Sequence, residues 1–149
     1  MFSILKKVGL GGTFDHFHEG HELLIKTALS VSEKIVIGLT DDEMLKNKKF
    51  KSKIEPYDKR KAVLERYISK LTDLSRVEIV KLTDPYGPPI NEPDYDGIVV
   101  SEETYKGALK INEIRIKKGM QPLIITVIPM VKDKDNRKIS STSIREKLV

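Results

Sequence analysis

At 149 residues, 39% hydrophobic and 33% charged, the chain is sized for a single domain, 1–149, with its own core. It has no cysteine, which excludes disulfide and thiolate chemistry, and no apolar stretch of spanning length. Met1 to Lys7 is too short and too early charged for a signal peptide, so a cytoplasmic protein that stays off the membrane is expected. The net charge of +5 suits a polyanionic partner. Sparse aromatics and the lack of any helix-turn-helix, RRM or zinc-finger pattern favour small polyanions over nucleic acid, and a non-catalytic nucleotide- or nucleic-acid-binding module is the alternative to an enzyme.

Strand and helix patterns alternate along the chain. Strands are expected over 4–10, 34–40, 76–82, 97–101 and 123–129, and helices over 18–32, 56–72, 103–118 and 141–148, with Pro56 well placed at a helix start. That alternation predicts an α/β fold: a doubly wound, five-stranded parallel sheet with right-handed crossovers and its ligand at the carboxyl ends of the strands, beside the topological switch point. The turn after the first strand is the natural place. Residues 83–93 carry four prolines and a glycine and are expected to form a loop or short lid.

That first turn reads Gly11-Gly12-Thr13-Phe14-Asp15-His16-Phe17-His18-Glu19-Gly20-His21. The glycines permit positive φ and close backbone approach, and the helix that follows opens with unpaired N–H groups at the positive end of its dipole. His18 and His21, three residues apart, project from one face of the first turn and can flank an anion, with Gly20 leaving room between them. Histidines at a helix start also serve as plain caps, and a glycine pair also makes an ordinary turn. A zinc site fits poorly, since the spacing is not the i, i+4 of zincins and cysteine is absent. At the other end of the chain, Ile139-Ser140-Ser141-Thr142-Ser143-Ile144-Arg145 offers four hydroxyls where a helix cap needs one. Arg145, one turn further, can fork onto phosphate oxygens.

With Gly12-Thr13-Phe14-Asp15, His18-Glu19-Gly20-His21 and the Ile139–Arg145 segment in this order, the chain resembles the HxGH nucleotidyltransferase superfamily over essentially its full length. Within it, the chain looks most like the archaeal phosphopantetheine adenylyltransferases and the related domain of eukaryotic coenzyme A synthase, Val99-Val100-Ser101-Glu102-Glu103-Thr104 included. The resemblance implies a Rossmann-like, HUP-type fold and transfer of AMP from ATP to 4′-phosphopantetheine, with Mg²⁺ bridging the triphosphate and few protein ligands of its own. It also implies roles for particular residues. His21 and His18 are the catalytic donors to the phosphates. Gly12, Thr13, Phe14, His18, His21, Ser140, Ser141, Thr142 and Arg145 bind ATP. Thr13 with a lysine from 46–53, Lys46 or Lys49, holds the acceptor phosphate, Lys46 acting in catalysis. The same motifs serve cytidylyltransferases and FMN or NMN adenylyltransferases. Two departures from bacterial relatives stand out: His18 where they have Thr, and Ser101-Glu102-Glu103-Thr104 where they have an arginine-rich segment, for which Lys106 or Lys110 is a candidate replacement. A monomer or small homo-oligomer is expected.

Overall fold

A computed structural model describes residues 5–45 and 54–129. Its strands are β1 (Leu5–Gly12), β2 (Ser32–Thr40), β3 (Val77–Leu82), β4 (Gly97–Ser101) and β5 (Ile124–Ile128), and its helices α1 (Glu19–Val31), α2 (Tyr57–Ser69) and α3 (Tyr105–Lys117). All strand pairs are parallel, in the order β3-β2-β1-β4-β5. The order reverses between β1 and β4, which is the switch point of the expected doubly wound sheet. The expected helix over 141–148 lies outside the described residues.

Strand alternation sorts the core into two layers. Val8 and Leu10 of β1, Ile35, Ile37 and Leu39 of β2, Val99 of β4 and Ile128 of β5 face α1 and α2, where Ile25, Ala28, Leu64 and Ile68 close the layer. Val36, Ile98 and Val100 face the opposite side, against Ala108 and Ile111 of α3, with Tyr95 and Leu123. The apolar faces of α2 and α3 follow helical spacing, yet each includes an arginine: Arg60, Leu64 and Ile68 are the buried residues of α2, and Ala108, Ile111 and Arg115 those of α3.

Element boundaries differ from the sequence expectation for physical reasons. The first helix begins at Glu19, because His18 sits at the N-cap in extended backbone. It ends at Val31 and runs straight into β2, since the Ser32 hydroxyl turns back to donate to the Ala28 carbonyl at 2.7 Å. At the start of α3, the Thr104 hydroxyl accepts from the Ser101 N–H at 3.1 Å, so 101–104 form a turn and the helix starts two residues later than periodicity suggests.

The proline-rich connection is a loop with one short 3-10 turn at Pro88–Ile90, and it is anchored rather than free to swing as a lid. Arg115, 0% exposed, donates from Nη1 to the Pro89 and Glu92 carbonyls at 2.6 and 3.0 Å and from Nη2 to Pro93 and Tyr95 at 3.4 Å. Its Nε donates to the Gln121 carbonyl at 2.8 Å. Lys118 adds bonds to the Ile90 carbonyl and the Asn91 side chain. All five of these Arg115 bonds go to main-chain carbonyls, whose dipoles take the place of water around the buried guanidinium. Arg115→Met keeps much of the bulk and removes the donors. We expect it to lower the unfolding free energy by about 2–4 kcal/mol, measured by urea denaturation; an unchanged midpoint contradicts the clamp.

Candidate active site

The carboxyl ends of the strands open onto a cleft of about 960 Å³ at the switch point. On the α3 side its floor is the sheet itself, bared at Gly9, Gly11 and Gly38. Gly11 pairs with Gly38 across β1 and β2. A Cβ on Gly38 would come within 3.1 Å of Leu82, and one on Gly11 within 3.4 Å of the Gly38 carbonyl. A side chain at 38 would press on Leu82, and one at 9 or 11 would lie over the bared sheet, so these glycines keep the floor low. Leu82, Tyr86, Pro89 and Tyr95 wall the floor, while Thr13, His18, His21, Thr40, Ser101 and Thr104 supply polar groups at the rim.

Gly11 and Gly12 finish β1 as ordinary strand residues. The left-handed backbone that these glycines permit is found instead at Phe14 (φ 47°) and His16 (φ 46°). Two non-glycine residues in that region cost on the order of 1–3 kcal/mol each and persist only where their surroundings hold them. Here the hold comes from the segment leading into α2. Glu55 Oε1 accepts the His16 N–H at 2.9 Å, Asp15 Oδ1 accepts the Glu55 N–H at 2.8 Å, and Arg60 Nη1 donates to the Thr13 carbonyl at 3.0 Å. Asp15, His16 and Glu55 also bring three candidate metal-ligand atoms within 4.8 Å of one another. None of the three residues is part of the cleft lining.

The two motif histidines cap the helix and line the cleft together. His18 Nδ1 accepts the Gly20 N–H at 3.0 Å, and His21 Nδ1 accepts the His18 N–H at 3.2 Å, a reciprocal capping box built from imidazoles. The rings stack with centroids 3.8 Å apart. His21 lies between Phe14 and Phe17, 5.1 and 5.3 Å from their ring centres. Because each Nδ1 is an acceptor, a neutral ring must carry its proton on Nε2, the edge turned away from the helix backbone. Burial pushes the His18 pKa down to about 4. Burial, reinforced by the neighbouring His18, takes His21 down to about 3. At neutral pH the pair therefore presents two N–H donors and no charge.

Gly12, Thr13, Phe14, His18 and His21 all border the cleft, so the structure brings these candidates together. Phe14 is only 2% exposed and packs on His21. Lys46, Lys49, Ser140, Ser141, Thr142 and Arg145 lie outside the described residues. Among the described residues no lysine or arginine borders the cleft, Lys106 and Lys110 included, and Glu103 is its single carboxylate. Sequence reading passed over Arg60, Arg115 and Glu55. The available signal was a charged residue interrupting the apolar stripes of α2 and α3.

The histidines give a pH signature whose sign is fixed. Their folded-state pKa values lie below the ordinary 6.5, so the unfolded chain takes up protons first as pH falls. The stability that depends on neutral rings is complete above pH 6.5 and drains away between there and pH 3–4. Denaturant unfolding between pH 7 and 5 should show that decline. His18→Asn, which keeps a capping acceptor but cannot titrate, should make it shallower; an equal slope in the variant contradicts the assignment.

The chain is 44% identical to the phosphopantetheine adenylyltransferase of Methanopyrus kandleri, over 94% of this chain and 88% of that one. It is 42% identical to the phosphopantetheine adenylyltransferase of Saccharomyces cerevisiae, over 93% of this chain and 47% of the yeast protein. A crystal structure of a protein with unknown function from Archaeoglobus fulgidus superposes with a TM-score of 0.75 at 35% identity, covering 90% of this chain and 99% of that one. The sequence model of the cytidylyltransferase-like family matches residues 10–147, and the chain belongs to that family.

Proposed function

We propose that the protein is a phosphopantetheine adenylyltransferase, which transfers AMP from ATP to 4′-phosphopantetheine and yields dephospho-coenzyme A and pyrophosphate. The observation that carries this reading is the pair of neutral Nε2–H donors at the start of α1, facing a cleft with a polar rim and an apolar floor. The curated relatives at 42–46% identity, named for this activity, support it.

In the reaction an oxygen of the acceptor phosphate attacks the α-phosphorus of ATP. The bond from that phosphorus to the oxygen bridging to the β-phosphorus breaks, and pyrophosphate leaves with the electron pair. A phosphate monoester is already ionised at neutral pH, so no general base is needed. What is needed is alignment of two polyanions and donors placed where charge develops. His21 and His18 provide such donors. Being neutral, they neither bind the substrate by charge alone nor give up a proton before the transition state. Thr13, on the first turn after β1, is assigned to the reacting phosphates, and the first turn of α1 adds its dipole. The pantetheine arm is assigned to the apolar floor over Gly9, Gly11 and Gly38, between Leu82 and Tyr95. Adenosine is assigned to the ends of β4 and β5, near Ser101, Thr104 and Pro129. Lys46 or Lys49 for the acceptor phosphate, and Ser140, Ser141, Thr142 and Arg145 for the β- and γ-oxygens, complete the proposal.

The donors around the cleft suit a Mg²⁺ that arrives on the triphosphate. Among the described residues, Thr13, His18 and His21 border the cleft with Glu103 as the single carboxylate, rather than a pair of carboxylates to cage a hard cation. When bound, the ion neutralises triphosphate charge and helps pyrophosphate leave. The enzyme is proposed to work in the cytoplasm as a monomer or small homo-oligomer.

Incubation with ATP, Mg²⁺ and 4′-phosphopantetheine should give dephospho-coenzyme A and pyrophosphate by mass spectrometry, while CTP with glycerol phosphate, or ATP with FMN or NMN, should not react. Turnover in one of the other mixtures alone contradicts the acceptor assignment. His21→Ala should lose about 2.7–4 kcal/mol of transition-state stabilisation, a fall in kcat on the order of 10²–10³, while remaining folded. Near wild-type turnover contradicts the role of His21. Chelation by EDTA should stop the reaction and excess Mg²⁺ restore it.

A further inference from the structure

Arg60 is fully buried in α2 and does not border the cleft, yet its guanidinium reaches the turn that does. Nη1 bridges the carbonyls of Thr13 at 3.0 Å and Thr40 at 2.8 Å, the residues at which the chain leaves the adjacent strands β1 and β2. Nε donates to the Glu55 carbonyl at 2.8 Å, and Nη2 meets Asp42 Oδ1 at 2.7 Å. Glu55, fixed in this way, accepts the N–H of His16. The Thr13–His16 turn holds two left-handed residues, a shape an isolated chain abandons. A planar fork can hold both strand exits, the Glu55 carbonyl and Asp42 at once from three fixed nitrogens, four partners that the three N–H groups of one lysine ammonium cannot all serve.

We propose that Arg60 is a positioning residue for nucleotidyl transfer. It holds the Thr13 turn at the height where the Thr13 hydroxyl and the capped histidines converge, and it acts through Thr13 without touching substrate. This proposal rests on the reaction proposed above.

A double-mutant cycle tests it. Arg60→Lys and Thr13→Ala should each lower kcat about tenfold, with the KM for ATP within about threefold of wild type. The double variant should be no slower than Thr13→Ala by more than about twofold, because a displaced turn no longer matters once its hydroxyl is gone. Their effects on urea stability should simply add. A double variant slowed about a hundredfold, or wild-type kcat in Arg60→Lys, overturns the proposal. Should Arg60→Lys fail to fold, Glu55→Ala, which removes the acceptor for the His16 N–H together with an ion pair to Lys59, takes its place in the same cycle with the same criteria. Amide hydrogen exchange keeps this test separate from the reaction itself. If wild-type protein transfers nothing, the proposed function fails. The exchange readout then stands alone: the His16 amide should exchange at least about fivefold faster in the brace variant, and unchanged exchange overturns the positioning role.

Discussion

The site depends on a reciprocal cap. Each motif histidine uses Nδ1 as an acceptor for a first-turn or N-cap amide, which fixes the start of α1, the tautomer of both rings and the direction of their remaining protons in one arrangement. Capping and the proposed phosphate contact are not rivals, because the cap occupies the Nδ1 edge of each ring and leaves the Nε2 edge to the proposed contact. Stacking at 3.8 Å and burial among Phe14 and Phe17 then keep the pair uncharged. Two imidazolium ions at that spacing would repel, and in an apolar setting neither would find water. A pair of preorganised neutral donors needs little rearrangement as charge shifts from the attacking to the leaving oxygen.

Around that cap the protein uses arginine as an internal solvent. Arg60 and Arg115 are both 0% exposed, and most of their bonds go to main-chain carbonyls of irregular segments: the ends of β1 and β2 for the first, the proline-rich loop for the second. Loops that wall a ligand cleft cannot satisfy their own backbone groups through a ladder or helix. A fork of five donors reaching out of a neighbouring helix does so while holding the loop to a rigid element. The two arginines lie on opposite faces of the sheet and brace the two sides of one cleft.

Much of this was legible beforehand. The alternation of apolar runs gave five parallel strands and the three described helices in their order. The glycine-rich turn after β1 marked the cleft because strand exits at a switch point are the places where backbone can meet a ligand. What sequence did not disclose was long-range hydrogen bonding. Nothing local says that the left-handed backbone falls on Phe14 and His16 rather than on Gly11 and Gly12, since that depends on a brace from residues 55 and 60, some forty positions later. Likewise, Pro88 and Pro89 signalled irregular chain, but only Arg115, folded back from α3, makes that chain a fixed wall. The arginines were visible as charged interruptions of an apolar stripe, a pattern that reads equally as a helix edge until the carbonyls they serve are in place.

The central claim is the protonation of the two motif rings, and ¹⁵N NMR of the histidine side chains at pH 7 reads it directly. The account predicts that His18 and His21 each show an unprotonated, acceptor-type Nδ1 and a protonated Nε2, with the Nε2 resonances moving on addition of Mg²⁺ and a non-hydrolysable ATP analogue. Two protonated nitrogens on either ring, or a proton on Nδ1, contradict it.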